Sequence, residues 1–385
     1  MNVILFDTER INLYPLSLTR PISNFRVGIL TIKEKWELYY KTVSVKTEGY
    51  LSKKFPCFTK KENLWINSSI LPNKDLVTEI NSLRKGEVLK KSSTIIAINN
   101  HEFSHRNLDK IESNSNFNKI NDLCDIFTLN SEEIKFDFDI ITKNRKSQVL
   151  SQNNTKIGAY PLFIEKGAKI EYSFINCTNG PVYIGANSEI MEGSSIRGPF
   201  AMSNNSTLKM MTRIYEGTTL GPYCKVGGEV NNSIFFGYSS KAHEGYLGNS
   251  IIGEWCNLGA DTNNSNLKNN YEQIKIWNYK DERFKNTGLQ FCGLIMADHS
   301  KTGINTMFNT GTVVGVSTNI YGSGFPRNFI PSFSWGGASG FTTYIPEKVF
   351  KAAELVFKRR DLVFSESDRD ILQKVFELTL KYRNY

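Results

Sequence analysis

Residues 184–226 read IGANSE-IMEGSS-IRGPFA-MSNNST-LKMMTR-IYEGTT-LGPYCK-V, and every sixth position is aliphatic: Ile184, Ile190, Ile196, Met202, Leu208, Ile214, Leu220, Val226. Neither the 3.6-residue period of a helix nor the two-residue alternation of a strand gives a spacing of six over eight positions. Such a repeat predicts a triangular solenoid in which each hexad supplies a short strand and a corner. The aliphatic residue points inward, and coils stack roughly 4.8 Å apart. Glycine directly after the inward residue, as at Gly185, Gly221 and Gly227, suits a turn where a Cβ would clash.

The phase returns at Ile252-Gly253 and Leu258-Gly259, and again as Met296, Thr302, Phe308, Val314 and Ile320. Between Val226 and Ile252 it blurs. Across the polar stretch 262–286 it is lost, as an external loop leaving one corner would require. The solenoid is therefore expected over residues 151–345. From Pro346 the pattern turns helical, with Val349, Phe350, Ala353 and Phe357 on one face. A second helix is expected to start at Ser367 with Asp370 as its capping partner. This segment, 346–385, is expected to cover the open last coil. Residues 1–150 lack the hexad. Buried strands over 2–6 and 93–98 and helices over 32–40 and 76–83 predict an α/β domain.

The chain has 385 residues and a net charge of +9, with no run of like charge and no nucleic-acid-reading motif, so a nucleic-acid partner is not expected. Its six cysteines are widely spaced, without a CxxC pair, which fits reduced thiols and not a disulfide or zinc framework. The early acidic residues Asp7 and Glu9, and the lack of a long apolar run, lead us to expect a cytoplasmic protein without a membrane partner. Of four histidines only His243 and His299 lie in the solenoid, too few for a three-imidazole zinc site within one chain, so no metal is expected there.

Lys241-Ala-His-Glu-Gly-Tyr-Leu-Gly248, Asn257-Leu-Gly-Ala-Asp261 and Asn266 together resemble the acetyltransferase half of the bifunctional UDP-N-acetylglucosamine pyrophosphorylase/glucosamine-1-phosphate acetyltransferase family. The opening Ile4-Leu-Phe-Asp-Thr8, Pro15-Leu-Ser-Leu-Thr-Arg-Pro21 and Arg26 to Trp36 resemble a variant branch of it found in Bacteroidetes-type bacteria. The resemblance implies a left-handed β-helix, acetyl-CoA as acyl donor, an amino-sugar phosphate as acceptor and a homotrimer with sites between adjacent solenoids. It implies His243 as catalytic base and the Ala260 N–H as the group facing the thioester oxygen. Tyr246, Asn257 and Asn266 would position the substrates.

The chemistry is self-consistent. An amine attacking a thioester must lose a proton, which suits an imidazole at neutral pH, and a fixed N–H stabilises the developing oxyanion. Glu244 is a carboxylate that could orient the imidazole, and His299 is the alternative base.

The sequence also departs from the family. Pro199-Phe-Ala-Met-Ser-Asn204 lacks the two arginines of the corresponding family motif, and Asn231-Asn232 stands where the family has two lysines. Arg197 and Lys241 are basic residues available to replace them. In the N-terminal domain the turn Asp7-Thr-Glu-Arg10 has no glycine, and Trp65 to Pro72 has no metal-binding aspartate. Arg20, Arg26 and Lys33, with Lys35, are left as phosphate contacts for UTP or another nucleoside triphosphate, with Mg2+ only if this reduced nucleotidyltransferase-like domain is active. Two other readings stay open: nucleotidyl transfer with the solenoid as an oligomerisation scaffold, and a non-catalytic sugar-nucleotide sensor.

Overall fold

The computed structural model describes all of residues 1–385. The eight inward positions of the hexad run are each no more than 2% exposed, and they belong to one apolar column of 29 buried residues. Three parallel ladders build the walls. The first face carries Phe174–Asn176, Ser195–Arg197, Arg213–Ile214, Glu229–Asn231 and Tyr246–Gly248 in stacked order. The second is a nine-stranded sheet running from Leu162–Ile164 to Phe329–Ile330. The third stacks Lys169–Ile170 up to Ser240–Lys241.

The blurred hexad has a plain cause. Met202 pairs with Leu220, eighteen residues on, but Leu220 pairs with Phe235, only fifteen on. The shortening falls partly at the corner from third to first face. Two residues, Gly227 and Gly228, turn that corner in this coil, against four (Ala242 to Gly245) in the next. The polar insertion leaves after Asn263–Asn264, forms an antiparallel hairpin (Lys275–Asn278 with Arg283–Asn286) and rejoins the second face at Ile295–Met296.

Ahead of the solenoid lies a mixed six-stranded sheet of β1 (Asn2–Phe6), β2 (Val43–Lys46), β3 (Asn63–Asn67), β4 (Glu87–Lys91), β5 (Thr94–Asn99) and β6 (Asp109–Glu112), ordered β2-β1-β3-β5-β4-β6. Helices α1 (Ile32–Glu37), α2 (Lys74–Ser82), α3 (Asp125–Thr128) and α4 (Asn130–Ile141) accompany it. Its core continues into the outer side of the second face, where Ile234, Phe236, Ile251, Ile295 and Val313 are buried. The α/β layer is thus glued along the solenoid by apolar area removed from water.

The C-terminal helices α5 (Pro346–Lys358) and α6 (Glu366–Leu378) correct two expectations. The cap of α6 is Ser365, bonded to the Asp368 N–H, not Ser367. The segment covers the last coil only in part, through Phe376 against Phe333, Arg383 donating to Ser332 O and Tyr385 against Phe341. Val349, Phe350, Ile371, Leu372 and Val375 join the core shared with the α/β layer, and an antiparallel strand, Gly340–Thr343, finishes the third face instead. No helix is long and apolar enough to cross a membrane.

Candidate functional site

The corner from third to first face brings several sequence-predicted residues together. His243 lies exposed on it, one coil before Ala260, and the Asp261 N–H donates to Glu244 O at 3.0 Å to stack the two corners. The His243 imidazole has no hydrogen-bond partner in the chain. Glu244 does not orient it, because that carboxylate accepts from the Arg213 guanidinium at 2.8 Å. The Ala260 carbonyl accepts from the Asn305 N–H at 2.9 Å, whereas its own N–H meets no acceptor in the chain. An unclaimed imidazole and an unclaimed backbone donor therefore sit on neighbouring steps of one corner.

Round the corner, on the first face, the Tyr246 hydroxyl accepts from Asn266 Nδ2 at 2.9 Å, and the same amide donates to Asn249 Oδ1 at 2.8 Å. The Tyr246 N–H donates to Asn263 Oδ1 at 2.7 Å. Burial pushes the Tyr246 phenol above its usual range, so it stays a neutral hydroxyl. Asn249 and Asn263 are pinning residues that the quoted motifs do not single out; Asn263 had a signal in the asparagine-rich stretch Asn263-Asn-Ser-Asn266, and Asn249 had none of its own. Asn257 lies exposed on the third face, on the other side of the corner, bridged to Ser240 and Lys301.

Two predicted basic contacts are placed otherwise. Lys241 is 1% exposed and occupies an inward position, paired with Val226, so it is not a surface contact for phosphate. Its shortened coil shifts the register and turns the side chain in. Burial holds its pKa down to about 8. Arg197 stands on the first face but is paired with Glu216 at 3.0 Å. His299, the alternative base, lies against the side chains of Trp255 and Phe357 at a different corner, and burial depresses its pKa to about 3.

The cations expected to meet nucleotide phosphates are engaged as well. Arg20 Nη1 donates to Glu254 at 2.7 Å and Nη2 to Asp298, which ties the α/β layer to the solenoid. Arg26 is buried and donates to the carbonyls of Phe236 and Ile29. Lys33 pairs with Glu37 at 2.6 Å, and Lys35 is sealed between Glu133 (2.8 Å) and Asp137. At the carboxyl end of β1, Asp7 accepts from Arg10, from the hydroxyls of Thr47 and Ser68 (2.6 Å each) and from the Ile22 N–H at 3.1 Å. Both its oxygens are taken, and no second carboxylate joins it in a group that could hold a metal ion. The donors at this crevice do not fit a Mg2+–nucleotide complex.

Comparison with known proteins bears first on that layer. Residues 3–146 match a family model described as sugar nucleotidyl transferase. The bifunctional protein GlmU of Methanocaldococcus jannaschii is 35% identical over 108 residues, 28% of this chain and 25% of that protein. A bifunctional sugar-1-phosphate nucleotidylyltransferase/acetyltransferase of Sulfurisphaera tokodaii is 32% identical over 148 residues, 37% of this chain and 35% of that protein. The chain thus spans about a quarter to a third of the length of these curated relatives. Among solved structures, the polysialic acid O-acetyltransferase OatWY matches 49% of this chain and 87% of its own at 11% identity, with a TM-score of 0.27.

Proposed function

We propose that the chain is a sugar-phosphate N-acetyltransferase acting from the corner that holds His243 and Ala260, and that it represents the variant branch noted from its opening motifs. The observation carrying this reading is that the His243 imidazole and the Ala260 N–H, adjacent on one corner, have no partner of their own. In this reading His243 takes the proton of an amino-sugar amine as the nitrogen attacks the acetyl carbonyl of acetyl-CoA. The Ala260 N–H receives the negative charge that develops on the carbonyl oxygen. As the C–S bond breaks and the C–N bond is complete, the imidazolium returns its proton to the leaving thiolate. The Tyr246–Asn266 pair and Asn257 flank the corner on its two faces and orient the acceptor.

The exposed side chains of Tyr172, Met210, Met211 and Ile304 on the same corner, and of Phe174 and Tyr215 on the first face, form an apolar stripe beside the site. Such a stripe favours a second copy of the chain as its cover, with the site between adjacent solenoids of a cytoplasmic homotrimer. A monomeric mass in solution would count against shared sites.

The test is acetyl transfer from acetyl-CoA to glucosamine 1-phosphate, followed as free thiol, with wild type and His243→Ala. We expect turnover by the wild type and a loss of about 10²–10⁴-fold in the variant. Full activity in the variant sinks the assignment of the base. Absence of turnover in the wild type moves the acceptor to another amino sugar.

The family-model match over residues 3–146 favours a second reading, sugar-1-phosphate nucleotidyl transfer with the solenoid as scaffold. Pyrophosphate release dependent on UTP and Mg2+ would establish it. The closed network around Asp7 argues for its absence.

A further inference from the structure

We propose that Lys241 is a positioning residue for His243: its ammonium, sealed inside the solenoid, pins the carbonyls of the corner that presents the imidazole. The proposal rests on the acyl-transfer reading of that corner. Lys241 occupies a place in the inward column that Val226 fills one coil earlier and Leu258 one coil later. An aliphatic side chain there would complete the column without burying a charge. Instead the Lys241 Nζ donates to Gly227 O at 3.0 Å and to His243 O at 2.9 Å. Neither carbonyl receives a backbone N–H, so the ammonium is their only donor within the chain.

The neighbouring coil is shaped to admit it. Its corner has only Gly227 and Gly228 where the next has four residues, and a Cβ on Gly228 would lie 2.9 Å from the Lys241 Nζ. A Cβ on Gly227 would lie 2.6 Å from Ala242 O. Shortened coil, paired glycines and inward lysine thus form one device under the His243 turn. The charge is expensive to bury, and its depressed pKa reports that cost. A buried cation where an aliphatic side chain would fit, holding a turn beside an unclaimed imidazole, is the pattern of stability traded for function. Lys241 touches no reacting atom; it acts by fixing the backbone from which the His243 side chain projects.

The test uses full-length wild type, Lys241→Met, Lys241→Gln, His243→Ala and the Lys241→Met/His243→Ala double variant. Steady-state acetyl transfer is measured alongside thermal unfolding. Removing the pin in Lys241→Met is expected to lower kcat by about 10–100-fold, since small misplacements of a catalytic group cost that much. KM for both substrates should stay within about twofold, and Tm should be equal to or above that of the wild type. Lys241→Gln, which keeps N–H donors without charge, should fall between the two and carries the test should the Met variant not fold. The double variant should be no slower than His243→Ala, because Lys241 acts only through that side chain.

Wild-type kcat in Lys241→Met, a rise in KM alone, or losses that multiply in the double variant would each overturn the proposal. Where the wild type transfers no acetyl group, the acyl-transfer reading fails separately, and amide hydrogen exchange over residues 242–246 decides the pin. Faster exchange in Lys241→Met supports it and unchanged exchange overturns it.

Discussion

The α/β layer and the His243 corner treat their polar groups in opposite ways. In the layer the chemistry-bearing side chains near α1 and the end of β1 have found partners inside the chain: Asp7 takes four donors, Arg20 holds two carboxylates, and Lys35 is enclosed by two more. At the corner the imidazole and the Ala260 N–H are left without partners, in a chain whose buried polar groups are otherwise mostly satisfied. Charge consumed internally holds elements together, whereas unclaimed donors and acceptors beside an open face are available to a ligand. The difference separates structural from functional residues more sharply than residue type does, since both regions are rich in cations and hydroxyls.

Lys35→Ala tests the structural side of this contrast with the largest expected effect on stability. The substitution strands Asp137 and Glu133, whose charges only Lys35 offsets at close range, and burial already holds the Asp137 carboxyl up at about 6. Leaving a buried charge uncompensated costs about 3–5 kcal/mol, read as a lowered midpoint in urea at neutral pH. The deficit should narrow as the pH falls and Asp137 takes up a proton. At temperatures well below unfolding, acetyl transfer dependent on His243 should be unchanged. A drop in kcat without a drop in stability would break the comparison.

The two histidines of the solenoid give the next test. His299 is half-buried beside Trp255 and Phe357 with its pKa held down to about 3, well below the unfolded value. The unfolded chain therefore binds the proton more readily. Stability contributed by the neutral ring is fully present above about pH 6.5 and is lost as the pH falls toward about 3. Up to ~3 kcal/mol should disappear between about pH 7 and about pH 4, and His299→Phe should flatten that slope. Substituting the exposed His243 should leave the slope intact. Equal effects from the two substitutions would remove the distinction between a packing histidine and one proposed to act as a base.

How far these roles could be read from the sequence depends on how far apart the partners lie. The hexad register was legible because each inward residue reports its own burial, and all eight positions of the run are inside. That His243 and Ala260 fall on successive steps of one corner was legible because each sits in a short local motif, Lys241 to Gly248 and Asn257 to Asp261, one coil apart. Lys241 was not, since an inward place is assigned by counting sixes and the fifteen-residue step from Leu220 to Phe235 breaks the count just before it. The roles of Arg20 and Lys35 depended on Glu254, Asp298, Glu133 and Asp137, one hundred or more residues away in most cases, which no local pattern reveals. The cap of α6 was ambiguous for a local reason. Ser365-Glu-Ser-Asp368 and Ser367-Asp-Arg-Asp370 are overlapping candidates of the same form, and only the backbone chooses the first.

The smallest effect should come from removing a single hydroxyl on each side of the comparison. Tyr246→Phe deletes the acceptor of the Asn266 amide, which keeps its second bond to Asn249, so the loss of stability should be about 1 kcal/mol. Tyr50→Phe in the α/β layer deletes a donor to Leu18 O at 2.7 Å and should cost a similar amount. The two variants should then part in kinetics. With its phenol gone, the first face no longer holds Asn266 toward the acceptor, and KM for glucosamine 1-phosphate should rise while the Tyr50 variant keeps the wild-type value. Matching destabilisation with matching kinetics would mean that the Tyr246–Asn266 bond, like the network around Asp7, is spent on structure alone.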